Sequence, residues 1–215
     1  MLVLGIDEAG RGPVIGPMVL AGVLMREEEE AIAKELNIRD SKLISPKRRE
    51  FLFDKVKEFA VETHYVKISA SEIDRQRKKM SLNELEALKI AELIKKFKTE
   101  PDLILIDLPD PTGYGFIRRI SKYVDIKAEV RAEHKADAKY PAVSSASIIA
   151  KVIRDREIEK LKQTYGDLGS GYPADPKTKK FMIENVNKEL PFIRYSWETA
   201  RRLKKEKKQS SLSDF

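Results

Sequence analysis

A mixed α/β sheet with helices on both faces is the fold predicted by this sequence of 215 residues. Three observations carry the prediction. Short apolar runs alternate with amphipathic helical stretches as far as Tyr165. The first two apolar runs, "MLVLGI" (Met1 to Ile6) and "PMVLAGVLM" (Pro17 to Met25), flank a glycine-rich turn suited to a hairpin, so they are expected to pair antiparallel. "DLILIDLPD" (Asp102 to Asp110) is a continuous apolar run of the kind that forms a central strand covered on both sides.

The remaining elements follow in order. "EEEEAIAKELN" places four acids at a helix N-terminus, where they oppose the positive end of the dipole. "SPKRREFLFDKVKEFA" has Ser45 as N-cap and Pro46 at the first helical position, with Phe51, Leu52, Val56 and Phe59 forming an apolar stripe. "VETHYVKIS" reads as a strand. "SLNELEALKIAELIKKF" opens on a capping box of Ser81 and Glu84 and continues as a helix. "DIKAEVRAE" alternates as a strand does, and "YPAVSSASIIAKVIRDREIEKLKQTYG" is a long helix whose first half is small and apolar. After Gly166 the pattern breaks into loops, "GDLGSGYPADPKT" being the longest, and shorter helices. The expected organisation is a main α/β domain over 1–165, a C-terminal helical region over 166–208 packed on it, and a flexible tail over 209–215. There is no internal repeat.

Composition narrows the function classes. Hydrophobic residues make up 41% and charged residues 36%, the balance of a soluble chain with a very ionic surface. No apolar stretch reaches the roughly 18 residues of a bilayer crossing, and Asp7 arrives too early for a signal peptide, so a cytoplasmic location is expected. The absence of cysteine excludes disulfides, thiolate zinc sites and cysteine nucleophiles. Lys and Arg number 42 against 35 Asp and Glu, a net charge of +7 that favours polyanionic partners without proving one. Much of the excess lies in "RRLKKEKK" (Arg201 to Lys208), and abundant Lys and Glu without Cys is also a hyperthermophile bias.

The acids point to chemistry. Asp7 with Glu8 in "GIDEAGRG", Asp107 in "LILID" and Asp137 in "EHKAD" end predicted strands or begin loops. Functional groups of an open α/β sheet gather where strands end, so residues a hundred positions apart can meet there. A lone acid in such a place is ordinarily a cap or turn residue. Four carboxylates in one cleft repel, and a pair of divalent cations would relieve them. With oxygen ligands, no cysteine and two histidines, the expected ion is Mg²⁺ or Mn²⁺. Neighbouring strand residues face opposite ways, so Asp7 and Glu8 converge only if the backbone turns, which Gly10 and Gly12 allow. "GSGY" offers glycines for close backbone approach and a tyrosine that can stack on a sugar or base. His134 beside Lys135 offers a mobile base or phosphate contact, although a histidine in a charged loop is more often simply solvated, and Trp197 is equally compatible with packing.

Read together, "GIDEAGRGPVIGP", "RDSKLISPKRRE", "LILIDLPD", "AEHKADAKYPAVSSASIIAKVIRDREI" and "GDLGSGYPADPKT" resemble, in order and spacing over nearly the whole chain, archaeal ribonuclease HII of the type 2 ribonuclease H family. The resemblance implies a ribonuclease H-like sheet with a C-terminal helical region. It implies metal-dependent endonucleolytic hydrolysis of RNA in RNA–DNA hybrids, with cutting 5′ to a lone ribonucleotide in duplex DNA to leave 5′-phosphate and 3′-hydroxyl ends. By the same resemblance Asp7, Glu8, Asp107 and Asp137 are the metal-binding catalytic acids. Gly10, Arg11 and Gly12 contact the ribose 2′-hydroxyl, Tyr172 packs against the adjoining sugar, and Lys42 contacts phosphate. The chain departs from the family at Leu43, where a second lysine is usual, and in the proline of "DLPD". Gln209, Leu212 and Phe215 fit the spacing of the sliding-clamp (PCNA) peptide of replication and repair enzymes, with one terminal aromatic. A monomer is expected.

Three rivals fare worse. A passive nucleic-acid-binding module leaves strand-end carboxylates unexplained, a small-molecule phosphohydrolase leaves the glycine loop unexplained, and a nucleotide-binding regulator lacks its Gly-Lys-Ser/Thr loop.

Overall fold

The computed structural model describes residues 1–38, 44–109 and 112–213, with side chains to Glu206. Strands β1 (Leu2–Ala9), β2 (Met18–Arg26), β3 (Glu62–Ile68), β4 (Leu103–Asp107) and β5 (Glu129–Glu133) form a sheet ordered β3-β2-β1-β4-β5. β1 and β2 make the anticipated antiparallel hairpin, in register from Leu2↔Arg26 to Ala9↔Val19. β4 runs parallel to β1 on one side and to β5 on the other.

The helices of the described residues are α1 (Glu29–Glu35), α2 (Pro46–Phe59), α3 (Ala70–Gln76), α4 (Leu82–Ile94), α5 (Gly113–Ile120), α6 (Ala136–Lys139), α7 (Pro141–Tyr165), α8 (Pro176–Asn185) and α9 (Glu198–Ser213). Val3, Val23, Met25, Leu103 and Leu105 share a core with Leu52 and Val56 of α2 and Ala142, Ala146 and Ile149 of α7. Residues of the other parity, Leu4, Ile6, Leu24, Ile104 and Ile106, are buried too, so both faces of the central strands are covered. The small start of α7 has a packing reason. A Cβ at Gly5 would lie 2.1 Å from the backbone carbon of Ala142, so β1 and α7 touch backbone to backbone. Among the described residues no helix is long and apolar enough to cross a membrane.

The chain divides into two compact units, one of Met1–Ala9, Val19–Lys67 and Ser81–Ile153, the other of Gly10–Met18, Ile68–Met80 and Arg154–Phe215. This differs from a single boundary after residue 165. The second unit captures the Gly10–Met18 strap because Val14 and Ile15 belong to its core with Ile158, Leu168, Phe181, Phe192 and Ile193. Backbone bonds stitch the strap down: Val14 N to Gly171 O (2.9 Å), Gly16 N to Phe192 O (2.8 Å) and Arg194 N to Val14 O (2.8 Å). α9 carries the backbone helix through Gln209 and Leu212, while Phe215 lies outside the described residues.

Four local differences from the sequence reading have physical causes. β1 runs on through both acids to Ala9 because β2 continues to pair with it. β5 is shorter than the alternating run, since β4 offers only Leu103–Asp107 to pair with it. α5 was not anticipated in "GYGFIRRI", yet Gly113 is required there, for a Cβ would lie 2.5 Å from the carbonyl of Ala132. The capping box of α4 is half formed. Ser81 Oγ accepts from Glu84 N (3.1 Å), but the Glu84 carboxylate turns instead to Tyr123 Oη (2.7 Å) and Lys122 Nζ (3.1 Å).

Candidate functional site

In the first unit, parallel pairing of β1 with β4 ends at Ile6↔Ile106, so Asp7 and Asp107 stand one step beyond the last paired residues at the carboxyl ends of adjacent strands. Carboxylate oxygens of Asp7, Glu8 and Asp107 all lie within 4.8 Å of one another. The convergence does not come from a backbone turn at Glu8, because the β1–β2 register is intact to Ala9. It comes from the side chains. Asp7 bends along the strand so that Oδ1 accepts from the Glu8 amide at 2.7 Å, and Glu8 has an extra methylene with which to reach it.

Asp7 is only 5% exposed. Its pKa is pushed well above the usual carboxylate range, first by burial and then by the charges of Glu8 and Asp107, against hydrogen bonds from Ser147 and the Glu8 amide. A cluster of hard oxygen donors at this spacing, one of them disfavoured as an uncompensated anion, fits a divalent cation.

Asp137 is not within that 4.8 Å group of described residues, but it is held next to it. Asp107 Oδ1 accepts from Ala136 N at 2.8 Å, fixing the start of α6, and Asp137 follows, 5% exposed. The chain enters α6 through Lys135 at φ 58°, a left-handed conformation costing a residue with a side chain on the order of 1 kcal/mol. Lys42 lies outside the described residues.

The glycine loop belongs to the second unit. Gly10 has φ 85°, and a Cβ there would meet Arg154 Cδ at 2.6 Å and Pro17 O at 2.7 Å, so only glycine is accommodated. Gly12 differs. Its φ is open to any residue, and a Cβ would find only Tyr172 Cε1 at 3.7 Å. Arg194, fully buried, spreads its guanidinium over the loop: Nη2 donates to Gly10 O (2.7 Å), Nη1 to Arg11 O (3.1 Å) and Nε to Gly16 O (3.0 Å). Trp197 stacks on it, 4.9 Å from ring centre to guanidinium carbon, and donates Nε1–H to Gly12 O at 3.2 Å. Burial, and then the neighbouring charge of Arg154, push the pKa of Arg194 down to about 9, which leaves it charged at neutral pH. Nothing in the sequence singles out Arg194, and Trp197 is equally compatible there with packing.

Tyr172 is 43% exposed, with the Arg154 guanidinium 5.1 Å from its ring centre. Its loop is tightly built. Arg154 Nη2 donates to Ser170 O (2.9 Å), Gly171 N to Thr178 Oγ1 (2.9 Å), and Asp175 accepts from Ser170 N (2.6 Å) and Lys177 N (2.9 Å). Hydrogen bonds from the Ser170 side chain and amide lower the Asp175 pKa to about 2. A lowered carboxylate pKa stabilises above its unfolded value near 3.8, and the stabilisation is lost as the pH falls through the folded value. The loop is therefore expected to hold from neutral pH to about pH 4 and loosen toward pH 2. The amide signals of Ser170 and Lys177 followed by NMR check this; signals unchanged to pH 2 refute it.

Comparison with known proteins converges. The family model described as Ribonuclease HII matches residues 4–200. The ribonuclease HII of Pyrococcus abyssi is 44% identical over 216 residues, covering 99% of this chain and 96% of the relative. The crystal structure of the ribonuclease H2 from Pyrococcus horikoshii superposes with a TM-score of 0.89 at 43% identity, over 96% of this chain and 98% of the other. A solved PCNA:RNase HII complex from Archaeoglobus fulgidus gives a TM-score of 0.84 at 38% identity, over 92% and 96%.

Proposed function

The chain belongs to the ribonuclease HII family, whose members are metal-dependent endoribonucleases acting on the RNA of RNA–DNA hybrids, and from that premise we propose that it also nicks duplex DNA on the 5′ side of a lone ribonucleotide, leaving 5′-phosphate and 3′-hydroxyl ends. The observation that carries the reading is the convergence of Asp7, Glu8 and Asp107. These carboxylates, with Asp137, would hold Mg²⁺ or Mn²⁺, two ions during catalysis. Bound there, the pair supplies an acidified attacking water and charge neutralisation at the leaving 3′-oxygen.

The chain's own residues do the rest. Buried Asp7, fixed by the Glu8 amide and Ser147, keeps its carboxylate within the group formed with Glu8 and Asp107 and away from bulk water. The peptide groups of Gly10, Arg11 and Gly12 offer donors and acceptors to a ribose 2′-hydroxyl, which is both donor and acceptor and which DNA lacks. Tyr172 supplies an exposed ring for the adjoining sugar. The test is an end-labelled duplex with one ribonucleotide, incubated with Mg²⁺, Mn²⁺ or chelator beside an all-DNA control. A metal-dependent cut 5′ to the ribonucleotide is expected, and binding without a cut would refute the reading.

The Archaeoglobus complex supports a second contact, of Gln209, Leu212 and Phe215 with a sliding clamp. Deleting residues 209–215 is expected to abolish clamp pull-down with cleavage of free duplex unchanged; retained pull-down would remove the assignment. The protein is proposed to act as a cytoplasmic monomer in replication and repair.

A further inference from the structure

We propose that Arg194 and Trp197 are positioning residues that set the glycine loop for reading a ribose 2′-hydroxyl. The proposal deepens the function above and rests on it. Together the two side chains take the carbonyl oxygens of Gly10, Arg11, Gly12 and Gly16. The described chain has no cis peptide bond, so each carbonyl lies opposite the amide of the next residue. With Gly10 O and Arg11 O drawn onto the guanidinium, the amides of Arg11 and Gly12 are directed away from it. Each carbonyl keeps a second lone pair, so the loop still presents acceptors as well as donors. A cation bonded to the carbonyl side also polarises these peptide groups and strengthens their amides as donors.

Attachment alone does not call for this arrangement. The strap is already bonded through Val14, Gly16 and the Arg194 backbone amide, and Val14 and Ile15 are buried in the unit's core. Burying a guanidinium costs desolvation that an apolar side chain would avoid. Arg194 nevertheless sends its side-chain bonds to carbonyls of residues 10–16, the stretch that holds the glycine loop. The turn that carries it is itself anchored, since Asp74 accepts from Tyr195 N (2.6 Å) and Ser196 N (3.0 Å). Such an arrangement fixes the loop before a substrate arrives and so lowers the ordering cost of binding.

The test compares wild type, Arg194→Lys and Trp197→Phe in Mg²⁺. For each, KM and kcat are measured on a duplex containing one ribonucleotide, and an all-DNA duplex of the same sequence is titrated as competitor to obtain its Ki. The readout is the ratio of Ki to KM. Arg194→Lys, which keeps the charge but not the fork, is expected to lower the ratio about tenfold, and Trp197→Phe, which keeps the ring but loses one bond, about threefold. Ki itself stays unchanged and both variants melt cooperatively. A merely structural role would instead lower the melting temperature and shift KM and Ki together, and that result, like an unchanged ratio, overturns the proposal. If Arg194→Lys fails to fold, Trp197→Phe decides alone, because its ring position over Arg194 is conserved. A wild-type ratio of one would refute the 2′-hydroxyl reading itself, an outcome distinct from a wild type that discriminates and variants that do so equally.

Discussion

Asp7→Asn is expected to lower the single-turnover cleavage rate at a lone ribonucleotide by at least about a thousandfold while raising the melting temperature of the metal-free protein. The two effects have one cause. Asp7 is buried, and its ionised form is opposed by burial and by Glu8 and Asp107, whose oxygens lie within 4.8 Å. Its folded pKa is therefore above its unfolded value of about 3.8, so the folded state binds more protons through that interval, and stability falls as the pH rises across it. Asparagine keeps an oxygen for the Glu8 amide but does not titrate. The stability gap between variant and wild type should be small near pH 4, widen as the pH rises, and stay constant above the folded pKa of Asp7. Adding Mg²⁺ or Mn²⁺ should narrow it, because only a chain that binds the ion in its native state gains from mass action. Calorimetry in chelator between pH 4 and 8, then with each metal, measures this. A variant no more stable than wild type at any pH would show that the cluster carries no uncompensated charge, and wild-type cleavage by it would remove Asp7 from the chemistry.

Much of this site was legible in the sequence because it lies where regular patterns stop. The runs ending at Asp7 and Asp107 read as strands, the hairpin fixed one orientation, and strand ends of an α/β sheet gather, so the meeting of the two acids followed. The manner of the Asp7–Glu8 convergence did not follow, since the sequence offers glycines as an obvious hinge while the structure uses a side chain curled onto its neighbour's amide. Helix α5 was hidden for a similar reason. Two glycines in eight residues oppose a helix by propensity, and the need for Gly113 arises only from the carbonyl of Ala132 on a neighbouring strand. Arg194 was hidden most completely. Its partners are backbone carbonyls 178 to 184 residues away, and a carbonyl is carried by every residue type, so no pattern of side chains announces the contact.

Gly12→Ala separates what the chain needs from what its substrate needs. Gly10 cannot serve, since its φ of 85° and the 2.6 Å approach of Arg154 make any side chain strained, and Gly10→Ala would lose loop and activity together. Gly12 carries neither constraint: its φ is ordinary, and an added methyl would rest 3.7 Å from Tyr172, an ordinary van der Waals contact. Replacing a glycine by alanine at such a position stabilises by about 0.4–1 kcal/mol, through the reduced entropy of the unfolded chain. The melting temperature of Gly12→Ala should accordingly rise by roughly 1–4 °C. Cleavage should move the other way. If a ribose must approach the peptide groups of residues 10 to 12 within hydrogen-bond distance, a methyl at Gly12 displaces it by on the order of 1 Å, enough to cost about a hundredfold in rate. Stability gained and activity lost in one variant is a combination that damage to the fold cannot produce. Thermal melts beside single-turnover cleavage of the ribonucleotide duplex measure both. A stable Gly12→Ala enzyme that cuts at the wild-type rate would mean that the substrate does not come close to this face of the loop, and the reading of the 2′-hydroxyl would have to be sought at Tyr172.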